Sequence, residues 1–247
     1  MSFALIPAVA LLVMVVVSPG NDEPSKPKKS TSKPATVAKS PSHASSSRGV
    51  RSTAKPRQQS ISKVESKTLD DKLEYKTILT YIKSKYKRIK EEDAQKISQY
   101  LVDYGKKHKV DPKFAAAVIA RESAFNKEAV SVTGAKGLGQ IKDFNFPSLK
   151  ISNPFDIEEN VSGTTQYLKE MLGNWEKRMT KAKADPTIAK KVPKSESEKV
   201  KLALASYYKG FTAVNRDGLD PKTNGYVSDI IEKYNELVSL REKVQDK

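Results

Sequence analysis

The apolar residues of this chain follow three successive patterns, and each predicts a different kind of segment. Phe3 to Val17 is an unbroken apolar run of 15 residues, shorter than the roughly 20 that span a bilayer comfortably. It reads as an export signal or a marginal membrane anchor, with Ser18-Pro19-Gly20 as a small-residue exit, although no basic residue precedes it. Residues 21 to 68 show no apolar period and no aromatic side chain; Ser, Thr, Pro, Lys and Arg fill 32 of these 48 positions. Such a segment cannot bury a core and is expected to be a disordered basic tether. From residue 69 to the end the period becomes helical.

Within that last part, Tyr75, Ile78, Ile82, Tyr86 and Ile89 share one helical face, and Ala94, Ile97, Leu101 and Tyr104 share the next. Asp111-Pro112 supplies an N-cap and a proline at the first helical position, which predicts a third helix running to about Ser123. Its stretch FAAAVIA is apolar on every side, so this helix is expected to be central and buried. Residues 126 to 139, NKEAVSVTGAKGLG, read as a loop. Asp156 and Glu159 resemble a capping box opening a helix that turns Val161, Leu168, Leu172 and Trp175 inward. Further helices are predicted near 197–208 and 226–243, while the Lys-rich stretch 176–198 reads as a surface insertion. No stretch alternates convincingly with period 2, so the expected fold is mainly α with at most a vestigial β element.

Charge and composition narrow the partners. The 247 residues carry a formal net charge of +16, half of it in residues 21 to 68, which suits an anionic partner. Cysteine is absent, which removes disulfides, thiolate nucleophiles and Cys-bound zinc. With only His43 and His108 besides, no metal is expected, and no organic cofactor is implied. Specific nucleic-acid binding is not expected either, because no zinc-finger or RNA-binding aromatic motif accompanies the charge. Lys26, Lys28 and Lys29 would hold the chain after the apolar run in the cytoplasm, which opposes export.

The candidate chemistry centres on Glu122. On the third helix it falls on the stripe of Phe114 and Val118, and a carboxyl there is desolvated, which raises its pKa and suits a general acid. Periodicity equally allows a helix-terminal Glu that faces solvent or pairs with the neighbouring Arg121.

The surrounding string decides between these. Glu122-Ser123-Ala124-Phe125-Asn126, then Ala129-Val130-Ser131, then Gly134-Ala135-Lys136-Gly137-Leu138-Gly139-Gln140-Ile141 resembles the soluble-type lytic transglycosylases, relatives of goose-type lysozyme, whose pattern is E-S-x-F-N, A-x-S, G-A-x-G-L-M-Q. The likeness continues through Asn153-Pro154-Phe155-Asp156, Glu159-Asn160-Val161, Ala205-Ser206-Tyr207-Tyr208-Lys209-Gly210 and Tyr226-Val227, and covers about residues 95 to 238. It implies a lysozyme-like domain over residues 69–247, behind a signal or anchor over 1–20 and the tether over 21–68. It implies peptidoglycan glycan strands as substrate, and hence an exported protein at the periplasm or cell surface, with residues 3–17 as its membrane association and with secretion or phage assembly as contexts. By the resemblance Glu122 is the catalytic acid and then base. Ser123 falls on a residue that holds a substrate N-acetyl group, and Gln140 on a cleft-lining Gln. Tyr207 falls on a Tyr near the catalytic carboxylate, and Tyr208 and Tyr226 are further substrate contacts.

Three departures from the pattern bear on substrate contacts. Gly139 replaces a Met, which is expected to remove a cleft wall. Tyr208-Lys209 replaces Asn-Ala, and Lys222 replaces a Glu. The small residues Gly134-Ala135 and Gly137-Leu138-Gly139 are expected to let backbone approach a sugar closely. With one obvious carboxyl, the implied reaction is non-hydrolytic and ends in an anhydro sugar. A hydrolase of the goose-lysozyme kind would need a second acid, for which Asp143 is the nearest candidate. The remaining alternative is a peptidoglycan-binding component without activity.

Overall fold

The computed structural model describes residues 57–185 and 192–246, so the apolar run 3–17 and most of the expected tether lie outside the described residues. These residues form eight helices: α1 (Arg57–Lys85), α2 (Glu91–His108), α3 (Pro112–Ser123), α4 (Phe146–Leu149), α5 (Ile157–Ala184), α6 (Glu196–Lys209), α7 (Phe211–Asp217) and α8 (Pro221–Gln245). One 3₁₀ turn at Asp143–Asn145 precedes α4. The only β pairing among them is a pair of isolated bridges, Val130 with Lys136 and Lys136 with Ile141, in the loop after α3. A mainly α domain with a vestigial β element is therefore what forms.

The α3 helix sits at the centre, packed against α1, α2, α5 and α8. Asp111 caps it by accepting from the Lys113 amide at 2.8 Å, Pro112 fills the first turn, and every residue from Lys113 to Ala120 is buried. Ala115, Ala116 and Ala117 let neighbouring helices come close, and Phe114, Val118 and Ile119 fill the gaps between them. Each such large side chain contributes about 2 kcal/mol by burial. Lys113 can be buried because its Nζ meets Glu74 Oε1 of α1 at 2.8 Å and Asp111 Oδ1 at 3.1 Å. Arg241 of α8 joins the same Glu74 oxygen at 2.6 Å, and Tyr234 donates to Asp111 at 2.9 Å. One polar cluster thus ties α1, α3 and α8 at the start of the central helix.

Several boundaries differ from the sequence reading. The α1 helix begins at Arg57, inside the stretch assigned to the tether, because composition judges whether a segment can bury a core and not whether its backbone can coil. It ends at Lys85, so Tyr86 and Ile89 reach the core from the following turn. The supposed insertion at 176–198 is in its first half a continuation of α5, whose 28 residues run to Ala184. Lys, Arg, Met and Glu are good helix formers, and no breaker appears before Asp185-Pro186. The last helix starts at Pro221 and not near 226, on the same Asp-Pro signal that opens α3: Asp220 accepts from the Thr223 amide at 2.8 Å. Asp156 caps α5 through the Glu159 amide at 2.9 Å. Glu159 does not close a capping box; its carboxylate accepts from the Ser152 and Asn153 amides, pinning the chain that enters α5.

Candidate active site

The end of α3 is bent into place. Ala124 and Phe125 both adopt positive φ, 52° and 61°, an arrangement costing roughly 1 kcal/mol or more per residue outside glycine. Burial of Phe125 offsets it, since its ring is 1% exposed and packs edge-on against Tyr86 at 4.9 Å. That anchor directs the chain sharply away after Glu122 and Ser123, leaving Glu122 as the last acidic group of a buried helix, open on one side.

The loop that follows is held by α5. Asn160, fully buried, accepts from the Gly139 amide at 2.8 Å and donates to Pro154 O at 2.8 Å and Lys136 O at 3.3 Å. Gly137, at φ 73°, has no room for a side chain: a Cβ there would come within 2.1 Å of Pro154 O and 2.2 Å of Asn160 Nδ2. At Gly139 a Cβ would come within 1.9 Å of Thr164 Oγ1 and 2.8 Å of the Tyr207 hydroxyl. The close approach made by these two glycines is therefore to the protein itself and not to a sugar. Gly139 likewise opens no gap in a cleft wall, because Thr164 and Tyr207 already occupy the direction its side chain would take.

A cleft of about 410 Å³ results, lined by Glu122, Gln140, Lys142, Tyr167, Tyr207 and Tyr208 among others. Glu122 is the only carboxylate in its lining. Its pKa is raised from the ordinary 4.5 to about 7, because burial penalises the charged form more than Tyr226 and Arg121 favour it. The Tyr226 hydroxyl donates to Glu122 Oε1 at 2.5 Å, and Arg121 lies over the Tyr226 ring at 5.5 Å while paired with Asp229 at 2.7 Å. Burial and the neighbouring Glu122 charge hold the Tyr226 hydroxyl well above its usual range, so it remains a donor. A wider depression of about 760 Å³ lies between α1 and α8, lined by Tyr81, Lys85, Glu232 and Lys243, away from Glu122.

The residues singled out in the sequence separate by role. Glu122, Gln140, Tyr207 and Tyr208 meet in the cleft. Gln140 donates through Nε2 to Ala129 O at 3.0 Å and Gly137 O at 2.9 Å, so its amide nitrogen shapes the loop. The Tyr207 hydroxyl donates to Gly139 O at 2.7 Å, and its ring lies 4.9 Å from Tyr167. Tyr226, read from the sequence as a substrate contact, is buried behind the cleft and stacks on Tyr208 at 4.6 Å; its hydroxyl is taken by Glu122. Ser123 is outside the lining and donates back to Ile119 O at 3.3 Å. Asp143 also lies outside it, exposed and paired with Lys136 at 2.8 Å. Sequence reasoning missed Asn160 and Thr164 as organisers of the loop, though Asn160 stood within a quoted motif.

The fold and site thus define a helical domain with one desolvated carboxyl in a tyrosine-lined cleft. The family described as transglycosylase SLT domain matches residues 99–228. The chain belongs to that family, the SLT-type lytic transglycosylases, and the matched residues run from within α2 to the first turns of α8. Among solved structures it is similar to an inactive mutant of the lytic transglycosylase Slt from Pseudomonas aeruginosa, at 20% identity and a TM-score of 0.42, covering 59% of this chain and 24% of that one. The chain thus spans about a quarter of that protein's length. Among the described residues no helix is long and apolar enough to cross a membrane.

Proposed function

We propose that this protein is a peptidoglycan lytic transglycosylase in which Glu122 is acid and then base. Protonated Glu122 donates to the oxygen joining C1 of N-acetylmuramic acid to C4 of N-acetylglucosamine, and the C1–O bond breaks. The acetamido group stabilises the positive charge at C1. The Glu122 carboxylate takes the proton of the C6 hydroxyl, O6 bonds to C1, and a 1,6-anhydromuramic end forms without water. The acid is restored by the proton it has taken. Tyr226 is a positioning residue, holding one carboxyl oxygen so that the other faces the cleft.

The observation that carries this reading is a single cleft carboxyl whose pKa of about 7 leaves it substantially protonated near neutrality. Most glycoside hydrolases use a second carboxylate to activate water, and the nearest candidate here, Asp143, is engaged by Lys136 at the surface. The substrate places the protein's work outside the cytoplasm, and residues 3–17 are the proposed route there, as a cleaved signal or a retained anchor.

Bacterial sacculi digested with the protein should release anhydro-muropeptides, identified by mass spectrometry. Glu122→Gln should lower their release by about 10²-fold or more. Reducing-end products would replace transglycosylation by hydrolysis, and binding to sacculi without release from the unmodified protein would leave a glycan-binding module.

A further inference from the structure

Exposed aromatic rings are rare on this surface and are not scattered. Among the described residues the exposed large apolar side chains include two aromatic ones, Phe144 at 80% and Tyr208 at 41% exposure. Both line the cleft that contains Glu122. They come from separate elements, Phe144 from the 3₁₀ turn after the Gln140 loop and Tyr208 from the last turn of α6. Neither is needed for the core. Phe144 contributes little buried packing, and Tyr208 rests on Tyr226, with rings 20° from parallel, and has the Lys222 ammonium 6.0 Å from its ring centre, yet it keeps exposed surface in the cleft lining. Tyr208 also stands where the family pattern has Asn.

Water-exposed ring faces on cleft walls suit a ligand with apolar C–H faces between polar edges, which is the form of a pyranose. The electron-rich face of a ring attracts the polarised C–H bonds of a sugar, while the sugar's hydroxyls and acetamido groups stay at the polar rim. We infer that Phe144 and Tyr208 are two stacking platforms for consecutive sugars of a β-1,4-linked N-acetylated glycan, and that they set the affinity for strands longer than a disaccharide. This deepens the glycan-cleaving reading above and rests on it. Because Tyr208 lies on Tyr226, a sugar seated there also presses on the residue that holds Glu122.

The test uses the full chain carrying Glu122→Gln, which binds without turnover, and titrates it calorimetrically with the hexamer and dimer of β-1,4-linked N-acetylglucosamine. Adding Phe144→Ala or Tyr208→Ala should weaken hexamer binding about fivefold or more, with thermal stability unchanged for Phe144→Ala. Phe144→Trp and Tyr208→Phe should restore it, because the ring face and not the hydroxyl makes the contact. Val132→Ser, at another fully exposed apolar site outside the cleft lining, should have no effect. Hexamer binding equal in the parent and both alanine variants would overturn the platforms while keeping the glycan as ligand. No hexamer or dimer binding by the Glu122→Gln parent would overturn the glycan reading itself. Loss of binding to phosphatidylglycerol vesicles by Phe144→Ala, with glycan binding intact, would assign the ring to a lipid surface instead.

Discussion

At the scale of the residue, Glu122 is governed by a balance between burial, which favours its protonated form, and Tyr226, which favours the charged one. If the protonated carboxyl is the active form, the turnover rate should fall as pH rises through about 7. Tyr226→Phe removes the donor, raises the carboxyl pKa further and should move that limb of the pH profile to higher pH. The same balance acts on folding. The folded carboxyl holds its proton more tightly than the unfolded one, near 4.5. Its contribution to stability is therefore full below that value and is lost as pH rises to about 7. Glu122→Gln escapes this loss, so its unfolding free energy in urea should exceed that of the parent by on the order of 2 kcal/mol at pH 8, and by much less at pH 4.5. Gly139 shows the opposite kind of constraint, steric and not electrostatic. Gly139→Ala should cost about 2 kcal/mol by overpacking against Thr164, and Thr164→Ala in the same chain should recover part of it.

At the scale of the element, the loop between α3 and α4 has only two isolated bridges and one 3₁₀ turn of its own and depends on α5. Asn160 alone satisfies three of its neighbouring backbone groups. Asn160→Ala should lower stability by about 3 kcal/mol, since buried backbone groups lose their partners, and should raise amide exchange in the loop at Gly139. Phe125→Ala should cost a similar amount by leaving a cavity beneath the α3 terminus, and should depress activity at temperatures where the chain remains folded, because the turn that aims Glu122 is relieved of its anchor. Helix existence was legible from sequence because period and caps act within four residues. The α3 helix, with Asp111-Pro112 at its head and FAAAVIA in its middle, was readable in full. The α4 and α7 helices were not, because seven residues or fewer carry too little period, and the extension of α5 was hidden by a Lys-rich surface face.

At the scale of the molecule, α1 and α8 close over the start of α3 through Glu74, Lys113 and Arg241. A buried lysine without its carboxylate is costly, so Glu74→Ala should destabilise the domain by about 3 kcal/mol or more. The loss should register as a lower thermal midpoint for the whole domain, since three helices share the cluster. The candidate site depends on this packing because the groups that define it come from distant parts of the chain: Glu122 ends α3 and Tyr226 lies 104 residues further on, in α8.

The amino-acid sequence by itself determined the helical class, the central burial of α3 and the residue most worth questioning, because periodicity, caps and a long ordered motif are local in the chain. It also brought Gln140, Tyr207 and Tyr208 to attention through that motif. Tertiary structure alone decided where each side chain sits and what it touches. It buried Tyr226 and turned its hydroxyl to Glu122, spent Ser123 on its own helix, left Asp143 outside the cleft and closed Gly139 against Thr164. Those outcomes follow from which helices meet, and desolvation and steric exclusion are properties of the assembled surroundings that no short window of sequence contains.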